Sequence, residues 1–224
     1  MHTGHNAAYQ LIDTELNVCI DSDDYMPDDG VEKILKTWNA IIDNTKYAGI
    51  IGLDADKNGG IIGSKIPSDL ISGNLKDLYT KHKVVGDKKV ILRTDIVKKY
   101  PAYPEYENEK LVPLGLLYLM IGEAYDFVYS NDIFCVVEYQ PDGSSNSILK
   151  QYRQSPRGFA YSRITQKKYS KSFSEDLKYS AHLVSSALFT KDLSLLFRGP
   201  KMYQNLLMIP FGLLLHVYIL FKIK

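Results

Sequence analysis

From residue 1 to about residue 145, short apolar runs alternate with longer stretches whose apolar residues recur every three or four positions. The runs "LNVCI", "YAGIIGLDA", "GGIIGSKI", "DKKVILRTDIV", "YDFVYSND" and "IFCVVEYQPDGSS" have the length and composition of strands. The turn-rich "DKNGG" between the second and third predicts a hairpin, and "QPDGSS" predicts a turn after the last. Between them, "PDDGVEKILKTWNAII" sets Val31, Ile34, Leu35, Trp38, Ile41 and Ile42 at helical spacing, with acids in the first turn where the helix dipole favours them. "DLISGNLKDLYTKH" returns to helical spacing, and "EKLVPLGLLYLMIGEAY" is apolar on most faces and predicts a buried helix. Such alternation predicts an α/β layer architecture.

The chain opens differently, because "MHTGHNAAYQLIDTE" predicts a short helix leading straight into "LNVCI" with no strand before it. From about Asn146 the sequence is mainly helical and richer in lysine and arginine, which divides the chain at 1–145 and 146–224. With 224 residues and 45% hydrophobic content it has the means to fill a core. A net charge of +1 lacks the basic excess of a nucleic-acid binder. Cys19 and Cys135 each sit inside an apolar run, the setting of buried free thiols in a reducing compartment. No charged segment followed by an apolar stretch opens the chain, so no cleaved secretion signal is expected and the assignment is cytoplasmic. The 17 tyrosines suit a core and also surfaces that meet sugars.

The acids of "NVCIDSDDYMPDDGVEK" are the chemically pointed feature. Carboxylates this close repel one another, and solvent, a cation or a helix N-terminus must offset the repulsion. Asp28 and Asp29 fit a helix start; Asp21, Ser22 and Asp23 follow a buried-strand signature, where open α/β sheets bind ligands. At strand spacing Asp21 and Asp23 point to the same side, two oxygen donors for one hard divalent cation. An EF-hand register would place Asp21, Asp23 and Glu32 as ligands, but it needs glycine where Met26 stands and a helix where the apolar strand leads in.

On these residues the chain resembles family 2 glycosyltransferases of the GT-A fold. "GHNAAYQLIDTELNVCIDSDDYMPDDGVEKI" is similar to their central part, where a helix beginning with asparagine leads to an apolar strand, Asp-x-Asp-Asp and a proline-led helix. "VVGDKKVILRTDIVKKYPAYPEYENEKLVPLGLLY" resembles their acceptor-side segment, and "VVEYQPDGSSNSILKQYRQSPRGFAYSR" the region that follows it in bacterial members. The likeness spans roughly the first 165 residues. It implies a GT-A-like mixed sheet with flanking helices plus a mainly helical C-terminal region. It also implies transfer of a sugar, with inversion, from a nucleotide-diphosphate donor, UDP-linked, to a polysaccharide or lipid-linked acceptor. Mn2+ or Mg2+ is the expected cofactor. Residue by residue, it sets Asp21 near the ribose and the metal, Asp23 on the metal, and Asp24 in support of the site. The family's acid at the start of the acceptor-side helix corresponds to Glu109, followed here by Lys110, which makes Glu109 the expected general base across a sugar-sized gap from Asp23; Glu107 and Glu105 are alternatives, and all three could instead form a helix-entry charge cluster. Arg153 and Arg157, near "SPRG", are expected to steady diphosphate oxygens or to be surface charges.

Family members begin with a strand of the type "SIIIPTYN" and a helix-strand pair that build the nucleotide-base floor, and nothing similar precedes His2. The expectation is a chain carrying the metal and acceptor halves of a site without its uridine pocket. A different class of function keeps the sheet as a non-catalytic, membrane-associated binding module, which needs neither Asp23 nor Glu109. A metal-dependent phosphohydrolase would need more ligands than the scattered His2, His5, His82, His182 and His216 provide. The apolar run from Leu206 to Phe221, interrupted by Pro210, Gly212 and His216 and followed by Lys222 and Lys224, falls short of the ~20 residues of a membrane span. It predicts a segment lying in a membrane face, or a terminal helix packed on the core.

Overall fold

The computed structural model describes residues 2–41, 43–138 and 148–223. They divide into two compact units. One takes the described residues of the segments 1–8, 102–116 and 141–224; the other takes those of 9–101 and 117–140.

The second unit is built on a five-stranded mixed sheet. Its strands are β1 (Leu16–Val18), β2 (Tyr47–Ala55), β3 (Ser72–Gly73), β4 (Lys88–Arg93) and β5 (Asp126–Val136), in the spatial order β1-β4-β2-β5-β3. Only β2 and β5 run parallel; the other neighbours are antiparallel. Central β2 is buried from Ala48 to Ala55, which is why it reads as a continuous apolar run rather than an alternation. Gly49 (φ 148°) lies where a Cβ would come within 1.9 Å of the Ile91 carbonyl oxygen on β4, so the close pairing of these strands needs glycine there. α2 (Gly30–Asn39) lays Ile34 and Trp38 on Ile50, Ile91 and Phe134, and the Trp38 Nε1 donates to Glu15 Oε1 at 2.7 Å. α3 (Leu75–Thr80) is capped by Asn74, and α4 (Thr94–Val97) follows β4 directly.

The other unit is helical, with α6 (Ile148–Gln154), α7 (Pro156–Tyr169), α8 (Phe173–Thr190), α9 (Met202–Leu207) and α10 (Ile209–Lys222). Ala160, Leu183, Val184, Ala187, Leu195 and Leu196 form its apolar core. Gly212 lets α10 lie against α8, because a Cβ there would meet Val184 at 2.3 Å. The described residues also form α1 (His2–Leu11), α5 (Gly115–Ile121) and two 3-10 helices, Asn44–Lys46 and Leu193–Phe197.

The mixed α/β class and the helical C-terminal region are as expected, while several elements differ. The hairpin expected after β2 is reduced to a tight turn with one antiparallel bridge, Ala55 with Ile61. The Asp56 Oδ1 closes the turn by accepting from the Asn58 and Gly60 backbone amides. The returning segment pairs at Gly60, Ile61 and Ile62 with Asp56 and the end of β2 and forms no strand, because β4 and β5 already flank β2. The two strands expected around "YSND" are one. Ser130, Asn131 and Asp132 look like a terminator but form a bulge, opposite which Asn131 exchanges hydrogen bonds with the Ile66 backbone at 2.9 and 2.8 Å. The turn expected from "QPDGSS" lies outside the described residues. The helix expected from Pro27 starts at Gly30 and exposes Val31 and Leu35, and the one expected over "EKLVPLGLLYLMIGEAY" is confined to Gly115–Ile121. Cys135 is buried, whereas Cys19 is exposed because β1 ends one residue before it.

Candidate functional site

In the sheet unit, β1 stops at Val18, and the acids lie on a turn closed by the Asp24 amide donating to the Asp21 carbonyl at 3.0 Å. Asp21 and Asp23 therefore do not have the same-side spacing of a strand. Both are exposed, and neither carboxylate has a hydrogen-bond or ion-pair partner among the described residues. Asp24 behaves differently: its Oδ1 accepts from the Glu138 amide at 3.2 Å, and its Oδ2 faces the Cys135 thiol at 3.9 Å. Next to it, Tyr25 and Val136 exchange backbone hydrogen bonds of 3.0 and 2.7 Å. The loop is thus fastened to β5 at Asp24 and Tyr25, leaving Asp21 and Asp23 as uncommitted oxygen donors. Hard carboxylates of this kind suit Mg2+ or Mn2+, ions that keep several ligands from water or substrate phosphate. Among the described residues no group of three or more His, Cys, Asp or Glu is arranged to hold a metal ion.

Sequence reasoning missed the groups beneath this loop. Asp54 is buried in β2 with its Oδ1 unpartnered, and burial raises its pKa to about 6. Burial likewise pushes the Cys135 thiol up to about 11. Burial pulls down Lys89 of β4, but Asp54, Cys135 and Asp24 together outweigh this and leave it raised. The available signal was a lone acid in an otherwise apolar strand, "IIGLDA".

In the helical unit, Glu109 and Arg157 meet. Glu109 Oε1 accepts from the Arg157 amide at 2.9 Å and its Nε at 3.0 Å, while Oε2 accepts from the Gly158 amide at 2.8 Å. The side chain is 5% exposed. Glu109 thereby satisfies the free amides at the start of α7 from a distant part of the chain. Gly158 makes this possible, because a Cβ there would come within 2.2 Å of the Leu111 carbonyl oxygen. The guanidinium of Arg157 also donates to the Glu107 carbonyl. Glu105 accepts from Asn6 at 3.2 Å, and Asn6 in turn exchanges two hydrogen bonds with the Tyr103 backbone. Glu107 keeps an exposed carboxylate without a partner among the described residues, as Arg153 keeps an exposed guanidinium.

No protein-family model matches the chain, and no curated protein matches it. Among solved structures it is similar to the crystal structure of S. aureus TarS 1–349, at 12% identity and a TM-score of 0.46, over 96% of this chain and 69% of that one.

Proposed function

We propose that this chain carries part of a metal-dependent glycosyltransferase that moves a sugar, with inversion, from a UDP-linked donor to a glycan or lipid-linked acceptor. The reading rests on the sequence resemblance, and one observation supports it most: Asp21 and Asp23 stand free on a loop that Asp24 and Tyr25 fasten to the sheet. In it, Asp21 and Asp23 would hold Mn2+ or Mg2+ with the donor's diphosphate, with Asp21 on the ribose side as the resemblance implies. The cation, when bound, offsets the charge that builds on the departing nucleoside diphosphate. Asp24 keeps the loop in place. Arg153 and Arg157 are the resemblance's candidates for diphosphate oxygens; among the described residues the Arg153 guanidinium is uncommitted, and Arg157 has its Nε and Nη2 on Glu109 and Glu107.

The base that removes the acceptor hydroxyl's proton comes from the segment 105–109. Glu109 holds that place by resemblance, but its side chain is 5% exposed and three of its roughly four lone-pair sites already accept hydrogen bonds, leaving Oε2 the oxygen with room for a proton. Glu107 is exposed and carries no such bonds among the described residues. Steady-state kinetics on Glu109→Gln and Glu107→Gln tests the assignment: the variant lacking the base loses on the order of 100-fold or more in turnover with little change in donor affinity. Equal, unreduced rates in both variants would remove the base from this segment.

The C-terminal helices favour peripheral contact with a membrane surface. Gly212 and Ile219 of α10 are buried, while Phe211, Leu214, Val217 and Phe221 are exposed, Leu214 and Phe221 at 68% each. Met202, Tyr203, Leu206 and Leu207 of α9 are also exposed, and Lys222 lies at the end of α10. No helix among the described residues is long and apolar enough to cross a membrane. An exposed apolar face with a terminal lysine fits the interface of an anionic bilayer. In liposome flotation with phosphatidylglycerol vesicles, the intact chain should float, and a Leu214→Lys, Phe221→Lys double variant should stay at the bottom while remaining folded. Equal behaviour of the two proteins contradicts the reading.

A further inference from the structure

The helical unit contains a cavity of about 310 Å³ whose lining combines Tyr106, Arg157, Tyr161 and Arg198 with an apolar floor that includes Ile164 and Leu195. Its hydrogen-bonding capacity is one-sided. The lining carboxylate among the described residues, Asp192, is already engaged: Oδ1 accepts from the Ser194 amide at 3.0 Å and its hydroxyl at 2.6 Å, and Oδ2 pairs with Arg198 Nη2 at 3.5 Å. The Thr190 hydroxyl is likewise turned to the Ser186 and Ala187 carbonyls of its own helix.

What remains is donors. Arg198 uses Nη2 on Ser194 at 3.0 Å, leaving Nε and Nη1 without a partner among the described residues. Arg157 uses Nε and Nη2, leaving Nη1, and its guanidinium carbon lies 5.5 Å from the centre of the Tyr106 ring, which limits where it can swing. The Tyr106 and Tyr161 hydroxyls make no hydrogen bond among the described residues, and Tyr106 lies within electrostatic reach of Tyr161, Arg157 and Arg198. A cavity whose carboxylate is already paired and whose uncommitted groups are the donors of two guanidiniums and two phenols suits a ligand rich in acceptors and negatively charged. The volume exceeds that of one tetrahedral oxyanion, and the Tyr rings with Ile164 and Leu195 offer flat apolar surface to the body that carries the anion.

We propose that this cavity binds the phosphoryl group of a sugar phosphate, with Arg198 and Arg157 on its oxygens and Tyr161 and Tyr106 against the ring. The proposal goes beyond the glycosyl-transfer reading and needs neither the acidic loop nor a metal. Two sources share the chemistry: the diphosphate of a nucleotide donor, and a phosphate on the acceptor.

Saturation-transfer NMR titrations of the full chain with glucose 1-phosphate, UDP and methyl glucoside, without added metal, test it. Glucose 1-phosphate should bind, methyl glucoside should bind at least tenfold more weakly, and Arg198→Gln should raise the Kd for glucose 1-phosphate roughly tenfold or more. Tyr161→Phe should raise it by a few-fold, and Lys36→Gln, which removes an exposed charge from the sheet unit, should leave it unchanged. Among the described residues the Arg198 side chain bonds to Ser194 and Asp192 at the surface and to no other, so its variant should keep the wild-type thermal melting point. Arg198-dependent binding of UDP assigns the phosphate to the donor; such binding of glucose 1-phosphate alone assigns it to the acceptor. Absence of phosphate-dependent binding, or equal loss in Arg198→Gln and Lys36→Gln, overturns the proposal. Because no turnover is read, this result does not depend on whether the chain transfers sugar.

Discussion

The two units bury different kinds of group. In the sheet unit the central strand is apolar along its buried length except for Asp54, and its core joins Ile50, Ile91 and Phe134 to Trp38. In the helical unit a polar network runs through the interior beside the apolar core. Lys167 of α7 donates to Ser180 of α8 at 2.8 Å and to Asn205 of α9 at 2.6 Å, and Lys201 donates to Asp176 at 2.6 Å. Apolar burial is non-directional, whereas a buried network specifies which helix turns face one another and is costly when half satisfied. The core of the sheet unit is mainly apolar, with its buried Lys88 bonded to backbone carbonyls, whereas the register of α7, α8 and α9 also rests on side-chain bonds between helices.

The largest expected effect of that difference is at Asp176. Asp176→Ala leaves Lys201 and the buried Lys167 without their nearest carboxylate. Loss of one member of a buried pair costs about 3–5 kcal/mol, and water at the 35% exposed Lys201 reduces this to roughly 2–3 kcal/mol. Denaturant unfolding followed by hydrogen exchange should locate the loss in α7, α8 and α9, with β2, β4 and β5 keeping their protection. Equal loss in the sheet strands would show that the units do not differ in the way described.

A smaller effect separates the units by pH. His182 is held at about 4, chiefly by burial and then by Arg163 and Lys178, and burial also lowers His2 and His216; all three belong to the helical unit. Histidine pKa values below the unfolded value of about 6.5 mean that the folded form binds fewer protons, so stability is lost as pH falls from 6.5 towards 4. Asp54 has the opposite sign. Its folded pKa of about 6 exceeds the unfolded 3.8, so its contribution is fully favourable below 3.8 and is lost as pH rises through 6. Between pH 7 and pH 5, exchange corrected for intrinsic rates should show protection falling in α8 and rising in β2. Asp54→Asn should abolish the rise in β2 and leave the fall in α8; a fall in both units of the wild type would contradict these assignments.

Period and composition made much of the fold legible. α2, β2, β4 with its short helix, and the helical C-terminal region follow directly from apolar spacing. The misreadings share a cause, in that local signals do not report which edges are already taken. "GGIIGSKI" has the look of a returning strand, but β2 has a neighbour on each side; "SND" has the look of a strand end, but Asn131 meets the Ile66 backbone there. At the candidate site, the acidic turn was visible as an excess of charge, and Asp54 as an acid out of place. The capping of α7 by Glu109 was not visible, because it joins residues 48 positions apart and depends on Gly158 having no side chain.

The central claim is that Asp21 and Asp23 form a cation site that a nucleoside diphosphate completes. Electron paramagnetic resonance of Mn2+ titrated with the chain, with and without UDP, measures this directly through the loss of free-ion signal. The account predicts weak uptake by the chain alone, at least tenfold tighter uptake with UDP than UDP or chain gives separately, and loss of that gain in an Asp21→Asn, Asp23→Asn double variant whose melting point is unchanged. A UDP-dependent gain that survives in the double variant, or no gain in the wild type, would contradict it.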